Sequence, residues 1–211
     1  MLLKKKDRTE LFTLYEKNRD AIRARLEEFR AVPSERYFYE LCYCLMTPQS
    51  SALQCNAVAA ELERLDFREN GFDPTPLLRS WQGGYVRFHN TKAKRLLELR
   101  ESFDSIAPLL DAVTEDKQLR NMLAERVRGL GLKEASHFLR NIGRTNVTIV
   151  DRHILRNLVR LSALETWPTS ISIRRYLIIE ALFEDLANEL SIPSDELDLV
   201  LWQRETGFVL K

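Results

Sequence analysis

A lysine and an aspartate are the residues of this chain best placed to do chemistry. The stretch Val127-Arg128-Gly129-Leu130-Gly131-Leu132-Lys133-Glu134-Ala135 sets two glycines around one apolar residue, and Asp151 follows Lys133 by eighteen positions in Thr148-Ile149-Val150-Asp151-Arg152-His153. Glycines at both ends of such a turn let the backbone reach positive φ and present bare amides, which can hold a phosphate. A lysine in the first turn of the helix that follows is then within reach of the sugar attached to that phosphate. An amine and a carboxylate together are what Schiff-base chemistry at a sugar carbon requires. The attack needs a neutral amine, a form that burial and the positive end of a helix both favour. The carboxylate can stabilise the positive charge that develops as a glycosidic bond breaks, and it can help take a proton from the lysine.

Each residue also has a plain reading. Gly-x-Gly makes sharp turns between helices of many kinds, most lysines are solvated, and an aspartate before Arg152-His153-Ile154-Leu155 is an ordinary helix N-cap. Capping and catalysis are compatible. The longer pattern adds the small Ala135, which lets two helices approach, and spaces it from Lys133 as a helix–hairpin–helix arrangement over about residues 116–141 does. That arrangement grips a DNA phosphate through main-chain N–H groups, here those around Gly129 and Gly131, often with a cation held on nearby carbonyls. Arg126 and Arg128 flank the turn and can add salt-dependent contacts.

The elements that must position these residues are helical. Apolar residues recur at helical spacing through nearly the whole chain, no alternating strand pair is found, and the fold class is all-α. Leu11, Leu14, Tyr15, Ile22 and Leu26 form one stripe, Pro33-Ser34 starts a second helix through Leu41 and Leu45, and a third runs from about Ser50 to Leu65. Asn90 can cap a helix through Ala93 and Leu99, with shorter helices expected near Ile106 to Val113 and Asp116 to Val127. Asp151 opens another, and Pro168 and Pro193-Ser194 punctuate the last two. No low-complexity tract or internal repeat interrupts this.

Composition narrows the class. With 211 residues, 45% of them hydrophobic, the chain can build a real core. Thirty-two basic against thirty-one acidic residues leave a net charge of +1, so any DNA binding must come from a local patch. The start carries Lys4, Lys5 and Lys6 without an apolar core segment, and no run suits a membrane span, so no membrane association and a cytoplasmic location, nucleoid-associated if the source is prokaryotic, are expected. Cys42, Cys44 and Cys55 fit reduced, buried thiols, and positions two apart on a helix cannot share a metal. His89, His137 and His153 are too scattered for a metal set.

At Gly129-Leu130-Gly131-Leu132-Lys133 and Val150-Asp151-Arg152-His153 the chain resembles the helix–hairpin–helix DNA glycosylase superfamily, whose lysine-bearing members excise a damaged base and then cut the backbone. Leu45-Met46-Thr47-Pro48-Gln49-Ser50 is similar to the family loop whose polar side chain enters the DNA stack, and the end from Trp202 to Lys211 is similar to the second 8-oxoguanine DNA glycosylase/lyase family, found largely in archaea and thermophilic bacteria. The resemblance implies two helical lobes, residues 1–45 with 146–211 and residues 46–145, with the active-site cleft between them faced by Lys133 as nucleophile and Asp151 as its partner. It implies a monomer that acts on double-stranded DNA containing oxidised guanine, with no organic cofactor and a monovalent cation as a candidate at the hairpin. The family often has Pro where this chain has Arg128. The four-cysteine iron–sulfur motif of endonuclease III-like members is absent, which argues against oxidised pyrimidines.

Chemistry on a stacked base requires extrusion, with a side chain filling the gap and aromatics holding the base. Gln49 is the candidate wedge, or a loop glutamine bonding its own backbone. Phe88 and Trp202 are candidates for stacking on the base, or core residues. 8-Oxoguanine carries N7–H where guanine has an acceptor, so a fixed acceptor rewards the lesion. The subgroup uses its terminal lysine in recognition, and the α-carboxylate of Lys211 can supply that acceptor; otherwise the apolar tail only seals a lobe. His153 can brace Asp151 or touch DNA, while His137 is a packed residue or lines the cleft. The rivals to a glycosylase are a non-catalytic helix–hairpin–helix clamp and a helical protein-interaction domain with a chance Gly-x-Gly turn.

Overall fold

Residues 3–207 are described by the computed structural model, and every regular element among them is helical. The helices are α1 (Lys5–Arg30), α2 (Tyr37–Met46), α3 (Ala52–Arg64), α4 (Phe67–Asn70), α5 (Thr75–Arg79), α6 (His89–Ala112), α7 (Asp116–Arg126), α8 (Leu132–Asn141), α9 (Arg152–Arg160), α10 (Ile173–Leu190) and α11 (Ser194–Thr206). One isolated antiparallel bridge, Trp81 to Gly84, closes a tight turn over Gln82 and Gly83. No described helix is long and apolar enough to cross a membrane.

The chain divides into two compact units, Met1–Ala31 with Gly143–Lys211, and Val32–Ile142. This corrects the boundary expected at residue 45. Helix α2 is buried from Phe38 to Met46 and packs on α3, α6 and α8, all of the second unit, so the break falls instead in the segment before Pro33. A second correction concerns α6. The helix expected through Ala93 and Leu99 and the shorter one expected near Ile106 to Val113 are one helix of 24 residues with Pro108 inside it, starting after Phe88 and not capped by Asn90. Leu96, Leu99, Phe103, Ile106 and Leu110 continue a single buried stripe, and its packing outweighs the one backbone hydrogen bond that a proline removes.

In the first unit α11 packs on α1, α9 and α10. The extended segment Val147–Val150 is clamped by α10: Tyr176 Oη donates to Thr148 O at 2.6 Å and accepts from Val150 N–H at 3.3 Å, and Glu180 Oε1 accepts from Thr148 N–H at 3.2 Å. Tyr176 and Glu180 are both buried. That clamp sets where α9 begins. In the second unit α7 packs against α8, and α8 is anchored to α2 by Asn141 Nδ2, which donates to Glu40 Oε2 at 3.1 Å within the core.

Candidate active site

The hairpin joins α7 to α8. Val127 leaves the helical path at the end of α7, Leu130 N–H donates to Val127 O at 3.0 Å, and the buried Leu130 side chain pins the turn. Gly129 has φ +90°, a conformation that favours glycine, and a Cβ there would lie 2.4 Å from Arg95 Cδ, so that side chain would have to move as well. Gly131 is different. Its φ is −90°, which corrects the expectation that both glycines take positive φ. It is the N-cap of α8 and offers no side-chain acceptor, so the first amides of α8 keep their capacity to donate to an anion. Ala135 is fully buried, as close approach of the two helices requires.

Lys133 occupies the first turn of α8 with its side chain 29% exposed, and its Nζ lies 3.2 Å from Glu134 Oε1. Glu134 is a neighbour that reading the sequence did not single out. Arg126 and Arg128 are exposed; Arg128 pairs with Glu98 at 2.8 Å, so a phosphate must compete with that carboxylate for it. Asn90, Thr91, Lys94, Arg95, Glu98 and Arg128 line an adjoining recess of about 270 Å³.

Gln49 and Phe88 are in the same unit and both exposed. Each adopts a left-handed conformation, φ +56° and +59°. Ser50 Oγ joins their segments by accepting Arg87 N–H at 2.9 Å, and the Arg87 guanidinium lies 5.4 Å from the Phe88 ring centre. Sequence reading missed Lys92, a buried lysine that donates to this loop. Its signal was present: Lys92 sits four positions before Leu96 and seven before Leu99, on the apolar stripe of α6.

Asp151, Trp202 and His153 belong to the first unit. Asp151 is the N-cap of α9, and its Oδ1 accepts from His153 N–H at 2.8 Å and Ile154 N–H at 2.9 Å. His153 is buried, its ring 4.4 Å from the Trp202 ring in an edge-to-face contact, and Arg152 Nε donates to its Nε2 at 3.2 Å. Its contact with Asp151 is made by the backbone N–H, while the imidazole bonds to Arg152 instead. Burial holds the imidazole pKa below its usual value, with Asp151 opposing and Arg152 and Arg156 adding to the shift. Among the described residues, neither His153 Nδ1 nor Trp202 Nε1 has a hydrogen-bond partner. Lys211 lies outside the described residues.

All three cysteines are buried, and burial pushes the Cys42 thiol up and that of Cys55 up to about 11, which keeps those two protonated and unreactive. Among the described residues no three His, Cys, Asp or Glu side chains gather as a metal ion would require.

A family profile described as 8-oxoguanine DNA glycosylase matches residues 22–192. The 8-oxoguanine DNA glycosylase/AP lyase of Fusobacterium nucleatum is 34% identical over 96% of this chain and 96% of its own, and that of Korarchaeum cryptofilum is 38% identical over 92% and 91%. Among solved structures, the 8-oxoguanine DNA glycosylase of Methanocaldococcus jannaschii is similar with a TM-score of 0.86 at 32% identity, covering 97% of this chain and 95% of that one. The glycosylase/lyase of the same organism in complex with 15mer DNA containing 8-oxoguanine gives 0.85 at 31% identity, covering 96% and 100%. With a profile match across most of its length and relatives this similar from end to end, the chain belongs to the 8-oxoguanine DNA glycosylase family, built on a helix–hairpin–helix motif.

Proposed function

We propose that this protein excises 8-oxoguanine from double-stranded DNA and then cleaves the strand at the abasic site by β-elimination. The observation that carries this reading is Lys133 in the first turn of α8, directly after a hairpin whose N-cap is bare glycine, in a chain with relatives named 8-oxoguanine DNA glycosylase/AP lyase. The amides of the Gly129–Gly131 turn hold a backbone phosphate, with Arg126 and Arg128 adding ionic contacts and a monovalent cation on the hairpin carbonyls supporting the grip. Gln49 fills the gap left by the extruded base. Phe88 and Trp202 hold that base, and the α-carboxylate of Lys211 accepts its N7–H.

Lys133 as the neutral amine forms a bond to C1′ while the bond from C1′ to the base breaks and the base departs with a proton. Asp151 supplies negative charge beside the developing cation and assists removal of the proton from Lys133; His153 braces it. The sugar ring opens to an imine, loss of a C2′ proton expels the 3′ phosphate, and water releases the lysine. The chemistry needs no organic cofactor and no iron–sulfur cluster. A monomer working in the cytoplasm on nucleoid DNA fits this reading.

A panel of duplexes carrying 8-oxoguanine, guanine, an oxidised pyrimidine or a preformed abasic site tests it. Base release and nicking are expected at 8-oxoguanine, with neither in Lys133→Gln. Tight duplex binding without release from any substrate would leave only the clamp.

A further inference from the structure

Lys92 is 2% exposed at the head of α6, on the stripe of Leu96, Leu99 and Phe103. Its Nζ donates to Met46 O at 2.5 Å, Pro48 O at 2.7 Å and Ser50 Oγ at 3.0 Å. Burial, with the positive Arg95, Arg87 and Lys133 adding and Cys55 opposing, draws its pKa down to about 8. A buried ammonium is costly unless fully hydrogen-bonded, and an apolar side chain would fill the stripe at lower cost. The lysine is explained by what it holds.

Met46 ends α2, where carbonyls lack partners within the helix and the dipole favours a cation. Thr47–Ser50 forms a turn, closed by Ser50 N–H to Thr47 O at 3.0 Å, that carries Gln49 at φ +56°. Lys92 N–H donates to Phe88 O at 3.0 Å, and Ser50 Oγ, which accepts from Lys92, also accepts from Arg87 N–H. Two exposed non-glycine residues in the left-handed region, each strained by about 1 kcal/mol or more, persist only where their surroundings over-determine them. Both are tied to this one side chain and its backbone.

We propose that Lys92 is a positioning residue for base extrusion: it locks the Thr47–Ser50 turn and the Arg87–Phe88 segment into one rigid edge, so that Gln49 and Phe88 meet the duplex already shaped to open a base pair. This rests on the reading of Gln49 as wedge and Phe88 as base contact. Lys92 acts through the backbone it holds and touches neither base nor sugar.

Two single-turnover assays on the full chain separate the possibilities: 8-oxoguanine release from duplex, which needs extrusion, and cleavage at a preformed abasic site in single-stranded DNA, which does not. Lys92→Met should slow the first by about 10²-fold, as loss of alignment does. It should leave the second within about twofold, the scatter between independent sites. Ser50→Ala should show a smaller loss in the same assay only, and adding it to Lys92→Met should change little, because both act in one network. Wild-type duplex rates in Lys92→Met, or equal loss in both assays with a lowered Tm, would overturn the role. Should Lys92→Met fail to fold, the same two results in Ser50→Ala would overturn it instead. Gln49→Ala at the wild-type rate would overturn the wedge on which the role rests. Wild-type chain inactive in both assays would overturn the glycosylase reading and this role with it.

Discussion

Asp151 caps α9 with Oδ1 alone, so Oδ2 takes no part in the cap and is the oxygen open to the proposed chemistry. Asp151→Asn keeps the Oδ1 acceptor and removes the charge. It is expected to slow base release by about 10²-fold, the scale of a lost preorganised electrostatic contact, with duplex affinity unchanged; full activity in a release assay would remove Asp151 from the mechanism. His153 gives a pH test. Because burial holds its folded pKa below the unfolded value of about 6.5, the unfolded chain takes up the proton first as pH falls. Its contribution to stability is therefore complete above about 6.5 and is lost on acidification toward the lower folded value. Tm measured from neutral to acidic pH should fall more steeply in the wild type than in His153→Phe, and parallel curves would contradict the assignment.

At the scale of elements, the hairpin and the clamp before α9 carry the local geometry. Gly129→Ala forces an L side chain into φ +90° against Arg95, at about 1–2 kcal/mol for the backbone alone, whereas Gly131→Ala meets only the flexible end of Glu134 at 3.1 Å. Chemical denaturation should rank them in that order, and equal losses would contradict the difference in φ. The helix–hairpin–helix and the cap at Asp151 were legible in the sequence because glycine, aspartate and their offsets report local backbone chemistry. The continuity of α6 through Pro108 and the membership of α2 were not, since packing across the unit decides both. Lys92 was hidden for another reason: a helical lysine reads as solvated unless its place on the apolar stripe is weighed against its type.

For the whole molecule, a net charge of +1 supplies no long-range field for DNA, and the proposed grip assigns the affinity to the hairpin amides and a few cations. Arg126→Ala should reduce the slope of log K against log salt by about 0.9, one phosphate contact, and Arg128→Ala by less, because Arg128 is already paired with Glu98. Unchanged slopes in both would place the DNA elsewhere. The central claim is that the Lys133 amine becomes bonded to the sugar. Borohydride reduction during reaction with 8-oxoguanine duplex, followed by proteolysis and mass spectrometry, measures this directly. The DNA remnant is expected on the peptide containing Lys133 and absent in Lys133→Gln; a remnant on another residue, or base release with no trapped adduct, would contradict it.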